Sequence, residues 1–365
     1  PAGEFMKVSY WHNNQDIRIE EVPTPKPGPR ELLVKVISCG ICGSDIVEWY
    51  RLPRAPLVLG HEIGAEVVEA GNSIEKYHPG DRVLIVPKVP CMECHYCRDG
   101  HTPQCSEVKV RLPGGFAEYI LVPEVLVEKG TYLLPDSVSY DQSTFIGPLA
   151  CVVRAQRLAG IKEGQTVLVA GCGVAGLLHI KLAKARQCRV IATDVNQRRL
   201  AFAERNGADI VVDAGKDVAG RLTAEGGKMP DVVILCTSAV SAVDQAWKCV
   251  DKGGTVVFFS VPGPDKKVVV PLNDFWTKEI KVLTSYYCGP PDIDDALKLI
   301  ESGTIQTDEL ITHRLPLKEI EKGFRLKCTL LDMGGAGHPQ KKYGVRDYKQ
   351  RFGATFSNIG RLILV

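Results

Sequence analysis

The chain has no apolar run long enough to form a membrane-spanning helix, and its N-terminus lacks a positively charged region followed by a hydrophobic core. The first absence argues against a membrane-spanning segment, and the second against a secretory signal peptide. The chain also has no large excess of positive or negative charge, because its formal net charge is only +2. We therefore expect a cytoplasmic protein that binds neither nucleic acid nor membranes.

Cysteine, in contrast, is abundant. The 13 cysteines are odd in number and cluster with ligand spacing, which favours reduced thiols and metal over a disulfide framework. Four of them follow the pattern C-x2-C-x2-C-x7-C in a loop-like stretch, CMECHYCRDGHTPQC, and they are Cys91, Cys94, Cys97 and Cys105. Because Zn2+ binds four thiolates tetrahedrally, this spacing predicts a structural zinc lobe over 88–106. The alternative is four unrelated thiols in a cysteine-rich loop.

The order of apolar runs predicts two domains, as expected for a chain of 365 residues. From about 6 to 150, short apolar runs separated by Pro and Gly clusters indicate a mostly β domain. From 151 to 289, strands alternate with helices, which predicts βαβ units in a doubly wound parallel sheet and hence an α/β fold. The last of these strands is predicted over KVLTSYY, 281–287.

The two ends of the chain are interpreted separately. The segment before Met6, PAGEF, is interpreted as a cloning remnant outside the fold. Residues 331–365 remain unassigned, although GRLILV at the end of the chain has the composition of a strand.

A glycine-rich turn follows the predicted strand TVLVA and opens a helix. It has the pattern G-x-G-x-x-G, and its candidate cofactor-binding residues are Gly171, Gly173, Val174, Ala175 and Gly176. Such glycines permit a tight turn, approach of the backbone to a pyrophosphate, and close packing of helix on strand. The helix N-terminus would then face the phosphates. The alternative is a glycine-rich turn in a domain that binds no nucleotide.

An acidic residue, Asp194, stands at the end of the next predicted strand after this turn. Asp194 can accept hydrogen bonds from the adenosine ribose and would repel a 2′-phosphate, which favours NAD over NADP. Arg198 and Arg199 nearby leave the choice between NAD and NADP open, since either arginine could pair with a 2′-phosphate or stack on adenine. Arg199 is included among the candidate cofactor-binding residues.

A second candidate metal site combines Cys42 in GICGSD with His61 and Glu62 in LGHE. Thiolate, imidazole and carboxylate are zinc ligands of catalytic sites, in which one coordination position stays open. The spacing alone is equally compatible with core residues that bind no metal.

With these motifs the sequence resembles the zinc-dependent medium-chain alcohol dehydrogenase family, and most closely its polyol branch of sorbitol and threonine dehydrogenases. The matching motifs are GICGSD, LGHE, the four-cysteine loop, GGFAEY, PLACVVRA and GCGVAG. The resemblance implies a GroES-like catalytic domain that carries two zinc ions and is completed by 290–330. It also implies a Rossmann domain that binds NAD, an active site in the cleft between the domains, an alcohol or polyol substrate, and a homodimer or homotetramer.

The resemblance also implies roles for individual residues. Cys42, His61 and Glu62 correspond to the catalytic zinc ligands, with water completing the tetrahedron. Asp45 corresponds to the carboxylate that orients the zinc-bound histidine, and Ser44 to the hydroxyl that takes the substrate proton. All five are candidate catalytic residues.

Several positions depart from the family pattern. Gly147 stands where the polyol branch usually has Glu, and Val47 where classical alcohol dehydrogenases often have a relay histidine. Cys151, one helical turn after Gly147, is predicted to pack rather than to replace the missing ligand. Trp49, Tyr50 and Phe116 are candidates for lining the substrate pocket, with packing as the alternative.

Two other functions stay open on the sequence. One is a reductase of the same family that has lost its catalytic zinc and reduces an activated double bond. The other is a dinucleotide-binding protein without turnover. Within the leading hypothesis, a larger cyclic alcohol is an alternative substrate to a small secondary alcohol or a polyol.

Overall fold

The structure is a computed structural model that describes residues 2–224, 226, 228–332 and 361–364. Contacts within the chain divide these residues into two compact units. The first comprises 2–161, 284–328 and 361–364, and the second 162–283 with 329–332. No helix in the described ranges is long and apolar enough to cross a membrane.

The elements are numbered along the chain. The strands are β1 (Phe5–Asn13), β2 (Asp16–Pro23), β3 (Leu32–Gly40), β4 (Leu57–Val58), β5 (Ile63–Ala70), β6 (Arg82–Ile85), β7 (Tyr119–Val122), β8 (Thr131–Leu133), β9 (Thr166–Ala170), β10 (Arg189–Asp194), β11 (Ile210–Asp213), β12 (Val232–Leu235), β13 (Thr255–Phe258), β14 (Lys281–Thr284), β15 (Ile311–Leu315) and β16 (Arg361–Leu364). The helices are α1 (Glu48–Arg51), α2 (His95–Arg98), α3 (Glu124–Lys129), α4 (Tyr140–Ser143), α5 (Ile146–Leu158), α6 (Val174–Ala185), α7 (Gln197–Arg205), α8 (Val218–Ala224), α9 (Val240–Cys249), α10 (Leu272–Lys278), α11 (Pro290–Glu301) and α12 (Ile320–Asp332).

The first unit is mostly β, and its described strands form two sheets. One has the order β2-β1-β4, and the other the order β15-β16-β3-β5-β6-β8, with β7 also paired to β3. The strand β1 begins at Phe5, which pairs with Pro23, so the fold starts one residue before Met6. The inward face of the larger sheet is closely packed, because Leu32, Val34 and Ile63 are almost fully buried.

The end of the chain contributes a strand to the larger sheet, as the composition of GRLILV indicates. The strand β16 runs parallel to β15 and antiparallel to β3, where Leu364 pairs with Cys39. Ile363 and Leu364 are buried there. The other residues of the segment 331–365, apart from 331 and 332, lie outside the described residues.

The second unit has the predicted α/β arrangement. Its sheet has the strand order β11-β10-β9-β12-β13-β14, in which the order reverses beside β9. The pairs among β9 to β13 are parallel, and β9 is buried along its whole length. Burial on both faces explains the unbroken Val, Leu and Ala content of this strand, because crossover helices cover a parallel sheet from both sides.

The structure corrects the sequence-based boundaries at two places. Helices α8, α9 and α10 were not predicted, because the apolar strands dominate the pattern of this region. The predicted strand 281–287 ends at Thr284 instead. Tyr287 has a φ of 60°, in the left-handed region that extended backbone does not use, so the chain turns before this residue.

Candidate functional site

The ends of two neighbouring strands bring the three predicted metal ligands together. The strand β3 ends just before Cys42, and β5 begins directly after His61 and Glu62. Because these strands pair with Cys39 opposite Ile63, the segments beyond their ends lie side by side. One donor atom from each of the three side chains lies within 4.8 Å of the other two.

A short 3₁₀ turn, Gly43–Ile46, places the two other candidate catalytic residues beside this group. The Ser44 hydroxyl lies 3.4 Å from Cys42 Sγ and 3.5 Å from His61 Nε2. On the other side of the ring, His61 Nδ1 lies 3.2 Å from Asp45 Oδ1. The Cys42 backbone N–H donates to Asp45 Oδ2 at 2.9 Å, so one buried carboxylate holds both the turn and the imidazole.

The electrostatics of this group follow from the burial of Asp45. Burial alone would raise the pKa of the Asp45 carboxyl, but His61 and Arg51 outweigh it and keep that pKa below its ordinary value. Burial alone would likewise lower the pKa of the His61 imidazole, but Asp45 and Cys42 hold it well above its ordinary value. The site therefore contains a carboxylate that orients one ring nitrogen and leaves the other facing the ligand group.

These residues fit a zinc ion. A tetrahedral ion with bonds of about 2.0–2.3 Å needs donors roughly 3.3–3.8 Å apart, which the separation of less than 4.8 Å allows with small side-chain adjustments. With three protein donors, a fourth position stays open for water or substrate. His61 would offer Nε2, the ring nitrogen away from Asp45, as a histidine held by a carboxylate does in metal sites.

Of the two departures from the family pattern, Gly147 lies on helix α5, one helical turn before Cys151. A Cβ added at Gly147 would meet no atom within 4 Å, so the backbone leaves room for the side chain that this position lacks. A hydrogen bond with Cys288 and burial raise the pKa of the Cys151 thiol well above its ordinary value. The group of donor atoms that could hold the ion does not include Cys151.

The four cysteines of the predicted structural site also lie together, with one donor atom each within 4.8 Å of the others. Cys97 Sγ lies 3.9 Å from Cys91 Sγ and 3.5 Å from Cys94 Sγ, close to the value of about 3.8 Å expected for two thiolates on one zinc ion. Backbone N–H groups of Glu93 and Cys94 donate to Cys91 Sγ at 3.3 and 3.2 Å. The loop thus places two backbone hydrogen-bond donors at the Cys91 sulfur.

The thiols of this cluster are also tuned electrostatically. Burial alone would raise the pKa of Cys105, but backbone N–H groups of Cys91, Val108 and Glu107 lower it to about 6. Burial and the neighbouring thiols raise the pKa of Cys97 to about 12. Crowded sulfurs that cannot all ionise without a cation match the chemistry of a tetrathiolate zinc site.

The glycine-rich turn between β9 and α6 has the geometry expected of a dinucleotide loop. Gly171 has a φ of 99°, and a Cβ at Gly176 would lie 1.9 Å from the Gly171 carbonyl oxygen. A Cβ at Gly173 would meet nothing within 4 Å, and Gly173 caps α6 without a side-chain hydrogen bond. Open space therefore lies beside the first N–H groups of the helix, of which Val174 and Ala175 are the first two residues, as a pyrophosphate requires.

Asp194, the acidic residue at the end of β10, forms hydrogen bonds within the chain that the sequence does not indicate. Asp194 accepts hydrogen bonds from the backbone N–H groups of Cys172 at 2.8 Å and Asn196 at 2.9 Å. Arg199 Nη1 lies 3.6 Å from the same carboxylate. At least two of its roughly four lone-pair positions are thus used by backbone N–H groups.

The sequence did not single out Arg51, which contacts Ser44, or Tyr286, which contacts Tyr50. The Arg51 guanidinium donates to the Ser44 hydroxyl at 3.0 Å, and Tyr286 shares a hydrogen bond with Tyr50 at 3.1 Å. Neither residue belongs to a ligand motif, so the sequence gave no signal. Of the predicted pocket residues, Trp49 is half exposed, whereas Phe116 is 1% exposed and packs in the core, so it does not line a pocket.

Comparisons with known proteins agree with this arrangement. Two family descriptions match the chain, an alcohol dehydrogenase GroES-like domain over 28–135 and a zinc-binding dehydrogenase over 174–302. The chain is 35% identical over 352 residues to an erythritol/L-threitol dehydrogenase of Mycolicibacterium smegmatis, with 88% of this chain and 94% of that protein covered. It is 30% identical over 346 residues to the sorbitol dehydrogenase of Ovis aries, with 89% and 93% covered. A solved structure assigned as a zinc-binding dehydrogenase of Sinorhizobium meliloti, bound to NADP, matches with a TM-score of 0.82 at 29% identity over 100% of both chains.

Proposed function

Because the chain belongs to the zinc-dependent medium-chain alcohol dehydrogenase family, we propose that it transfers a hydride between a secondary alcohol or polyol and NAD, at a zinc ion held by Cys42, His61 and Glu62. The observation that carries the proposal is the convergence of these three donors within 4.8 Å, with the Ser44 hydroxyl beside them. The four-cysteine cluster would hold a second, structural zinc ion. The polyol class is supported by the relatives that act on sorbitol and on erythritol or L-threitol.

The mechanism assigns a task to each side chain at this site. When bound, zinc supplies Lewis-acid chemistry that lowers the pKa of an alcohol, and NAD supplies the hydride acceptor. Ser44 accepts the hydroxyl proton of the substrate as it passes its own proton on, and the Arg51 guanidinium, which donates to the Ser44 oxygen at 3.0 Å, holds this hydroxyl in place. Asp45 holds the His61 ring so that Nε2 faces the ligand group. Val47 cannot accept a proton, so the proton leaves Ser44 by another path.

A substrate screen with metal analysis tests the proposal. The purified protein is incubated with secondary alcohols, linear polyols and cyclic alcohols plus NAD, and absorbance of the reduced cofactor is followed while zinc is quantified. We expect NADH formation with polyols and two zinc ions per chain. One zinc ion and reduction of an activated double bond would instead favour the family reductase, which the Gly147 departure supports. Two zinc ions with bound NAD and no turnover would favour a non-catalytic binder.

The preference for NAD rests on Asp194. Its carboxylate is buried and would accept hydrogen bonds from the ribose hydroxyls, although Arg199 offsets part of its charge. We expect Asp194→Ala to raise KM for NAD by about tenfold or more, since it removes charge-assisted hydrogen bonds, and to raise KM for NADP less. The measurement is initial rates with both cofactors, and equal effects on both would contradict the ribose role.

The assembly and location of the protein belong to the same proposal. Zinc ligation by thiolates requires reduced cysteines, which supports a cytoplasmic location. We propose a homodimer or homotetramer, in keeping with the family resemblance. Light scattering on the eluted protein tests the assembly, and a monomer at micromolar concentration would contradict it.

A further inference from the structure

Two tyrosine hydroxyls lie close together in the first unit, and Arg51 connects the Tyr50 ring to Ser44 beside the candidate metal ligands. The Tyr50 hydroxyl lies 3.1 Å from the Tyr286 hydroxyl, and Tyr286 follows shortly after β14. Tyr50 is half-buried, whereas Tyr286 is 58% exposed. The left-handed backbone at Tyr287 fixes the turn on which Tyr286 stands. The two hydroxyls therefore share one hydrogen bond, and the Tyr286 side chain is open to solvent.

Two arginines lie against the Tyr50 ring, and the charge of a third, Arg111, acts on both hydroxyls. The guanidinium carbons of Arg51 and Arg54 lie 5.0 and 5.3 Å from the centre of the Tyr50 ring. Burial raises the pKa of the Tyr50 hydroxyl, but the hydrogen bond with Tyr286 and the charges of Arg51, Arg54 and Arg111 outweigh it and lower that pKa. The positive charge of Arg111 also acts on Tyr286.

This positive charge is poorly compensated by the protein. Arg51 has a carboxylate partner, since it lies 3.4 Å from Asp45. Neither Arg54 nor Arg111 forms an ion pair with any residue in the described ranges, and both are exposed. The charges that lower the pKa of the Tyr50 hydroxyl are those of Arg51, Arg54 and Arg111. The cluster formed by Tyr50, Tyr286, Arg54 and Arg111, here called the cationic cluster, thus offers hydrogen-bond donors of two kinds and an excess of positive charge.

A chain of contacts connects the cationic cluster to the ligand group. Arg51 lies over the Tyr50 ring and donates to the Ser44 hydroxyl, which is itself 3.4 Å from Cys42 Sγ. A small molecule whose reacting hydroxyl lies at Ser44 would extend other groups towards Tyr50. Neutral polyols need no cation there, because uncharged donors and acceptors also bind hydroxyl groups.

We propose that the cationic cluster binds a negatively charged oxygen group at the far end of the substrate, so that the physiological substrate is an alcohol carrying a phosphate monoester or a carboxylate. This inference rests on the proposed function, because it deepens the identity of the alcohol. Arginine presents a planar fork of donors that matches such oxyanions, and charge-assisted hydrogen bonds are about twice as strong as neutral ones.

The experiment compares substrates that differ only in the anionic group: erythritol with erythritol 4-phosphate and with erythronate, and sorbitol with sorbitol 6-phosphate. We expect the phosphorylated or carboxylated member to have a kcat/KM at least about 100-fold above its neutral partner, through a lower KM. The ratio within each pair tells phosphate from carboxylate. Equal or better use of the neutral partners would overturn the proposal.

Variants assign the effect to the cluster. We expect Arg54→Ala and Arg111→Ala each to lower the preference for the anionic partner by about tenfold or more, and Arg111→Lys to restore part of it. Arg18→Ala, which removes an exposed arginine of β2 paired with Asp16, is the matched control and should leave the preference as it is. If the variants raise KM for NAD instead, the cluster serves the cofactor phosphates and the proposal is wrong.

A binding measurement separates failure of this inference from failure of the proposed function. Inorganic phosphate is titrated into the zinc-loaded protein without NAD, and the heat of binding is compared between the original chain, Arg111→Ala and Arg18→Ala. We expect saturable binding that is lost only in Arg111→Ala. Absence of turnover on every alcohol with such binding retained would contradict the dehydrogenase proposal alone, whereas binding insensitive to Arg111 would overturn the cationic cluster.

Discussion

The two groups of metal-ligating side chains lie in the same unit but are built differently. The four thiols come from one short loop, Cys91 to Cys105, in which backbone N–H groups already support the sulfurs. Cys42, His61 and Glu62 come from the ends of two paired strands and are surrounded by groups that can move or hold a proton. A closed set of four ligands stabilises a fold, whereas an open set of three leaves a position for chemistry.

The comparison teaches which part of a metal site a sequence can specify. In the four-cysteine loop, here called the closed site, the spacing of the cysteines largely determines the geometry, because ligands that are close in sequence need only one tight turn to meet. The group of Cys42, His61 and Glu62, here called the open site, depends on the pairing of β3 with β5. Cys42 and His61 belong to separate segments, which this pairing brings together. The following predictions test this difference, from the largest expected effect to the smallest.

Removing the thiolate of the open site should have the largest effect. We expect Cys42→Ser to lower kcat/KM by at least about 10³-fold, because losing the Lewis acid removes several kcal/mol of transition-state stabilisation. The thermal midpoint should change little, and zinc content should fall from two ions per chain to one. Alcohol oxidation at the original rate would show that the open site is not catalytic.

Removing a thiolate of the closed site should instead affect stability. We expect Cys97→Ser to lower the thermal midpoint by roughly 10 °C, because binding of a structural zinc ion contributes directly to folding. Scanning calorimetry measures this shift. Cys188→Ser, which alters a buried thiol outside both groups, is the matched control and should keep both zinc ions. A midpoint like that of the control would mean that the four-cysteine loop has no stabilising metal.

Removing the charge of Asp45, the partner of His61, should affect only the open site. Asp45→Asn removes the charge that orients His61, and we expect zinc affinity there to fall by about 10–100-fold. Competition with a chromogenic chelator resolves the two ions by their rates of release. Faster release from the four-cysteine loop as well would indicate that the two sites are coupled.

The smallest expected effect concerns the missing carboxylate on α5. Gly147 has room for a side chain and lies one helical turn before Cys151, whose pKa is sensitive to the charges of Cys42 and Glu62. We therefore expect Gly147→Glu to slow zinc release from the open site a few-fold, as an added carboxylate ligand would. Gly147→Gln has the same size without the charge. Equal behaviour of the two variants would mean that the position does not reach the metal.

Much of the architecture could be predicted from the sequence. The buried strands β9 and β10, the glycine turn and its helix α6 follow from local pattern, and their bounds agree closely with the structure. The three helices α8, α9 and α10 were missed because the strongly apolar strands on either side of them dominate the pattern of this region. The end of β14 was misplaced because the left-handed backbone at Tyr287 has no signature in a tyrosine-rich run.

The candidate site was predictable only in part. Its ligand motifs stand out as GICGSD and LGHE, but Arg51 and Tyr286 acquire their positions from the turn after the 3₁₀ segment and from the chain after β14. Nothing in their sequence neighbourhood marks them. The hydrogen bonds that Asp194 accepts from the backbone of Cys172 and Asn196 could not be predicted either, since they depend on how β9 and β10 end.

The central claim is that a zinc ion binds to Cys42, His61 and Glu62. Anomalous diffraction from crystals, recorded on both sides of the zinc absorption edge, tests it most directly. We expect two peaks per chain, one among the four cysteines and one bonded to Cys42 Sγ, His61 Nε2 and a Glu62 carboxylate oxygen. A single peak at the four-cysteine loop, in protein loaded with excess zinc, would contradict the account.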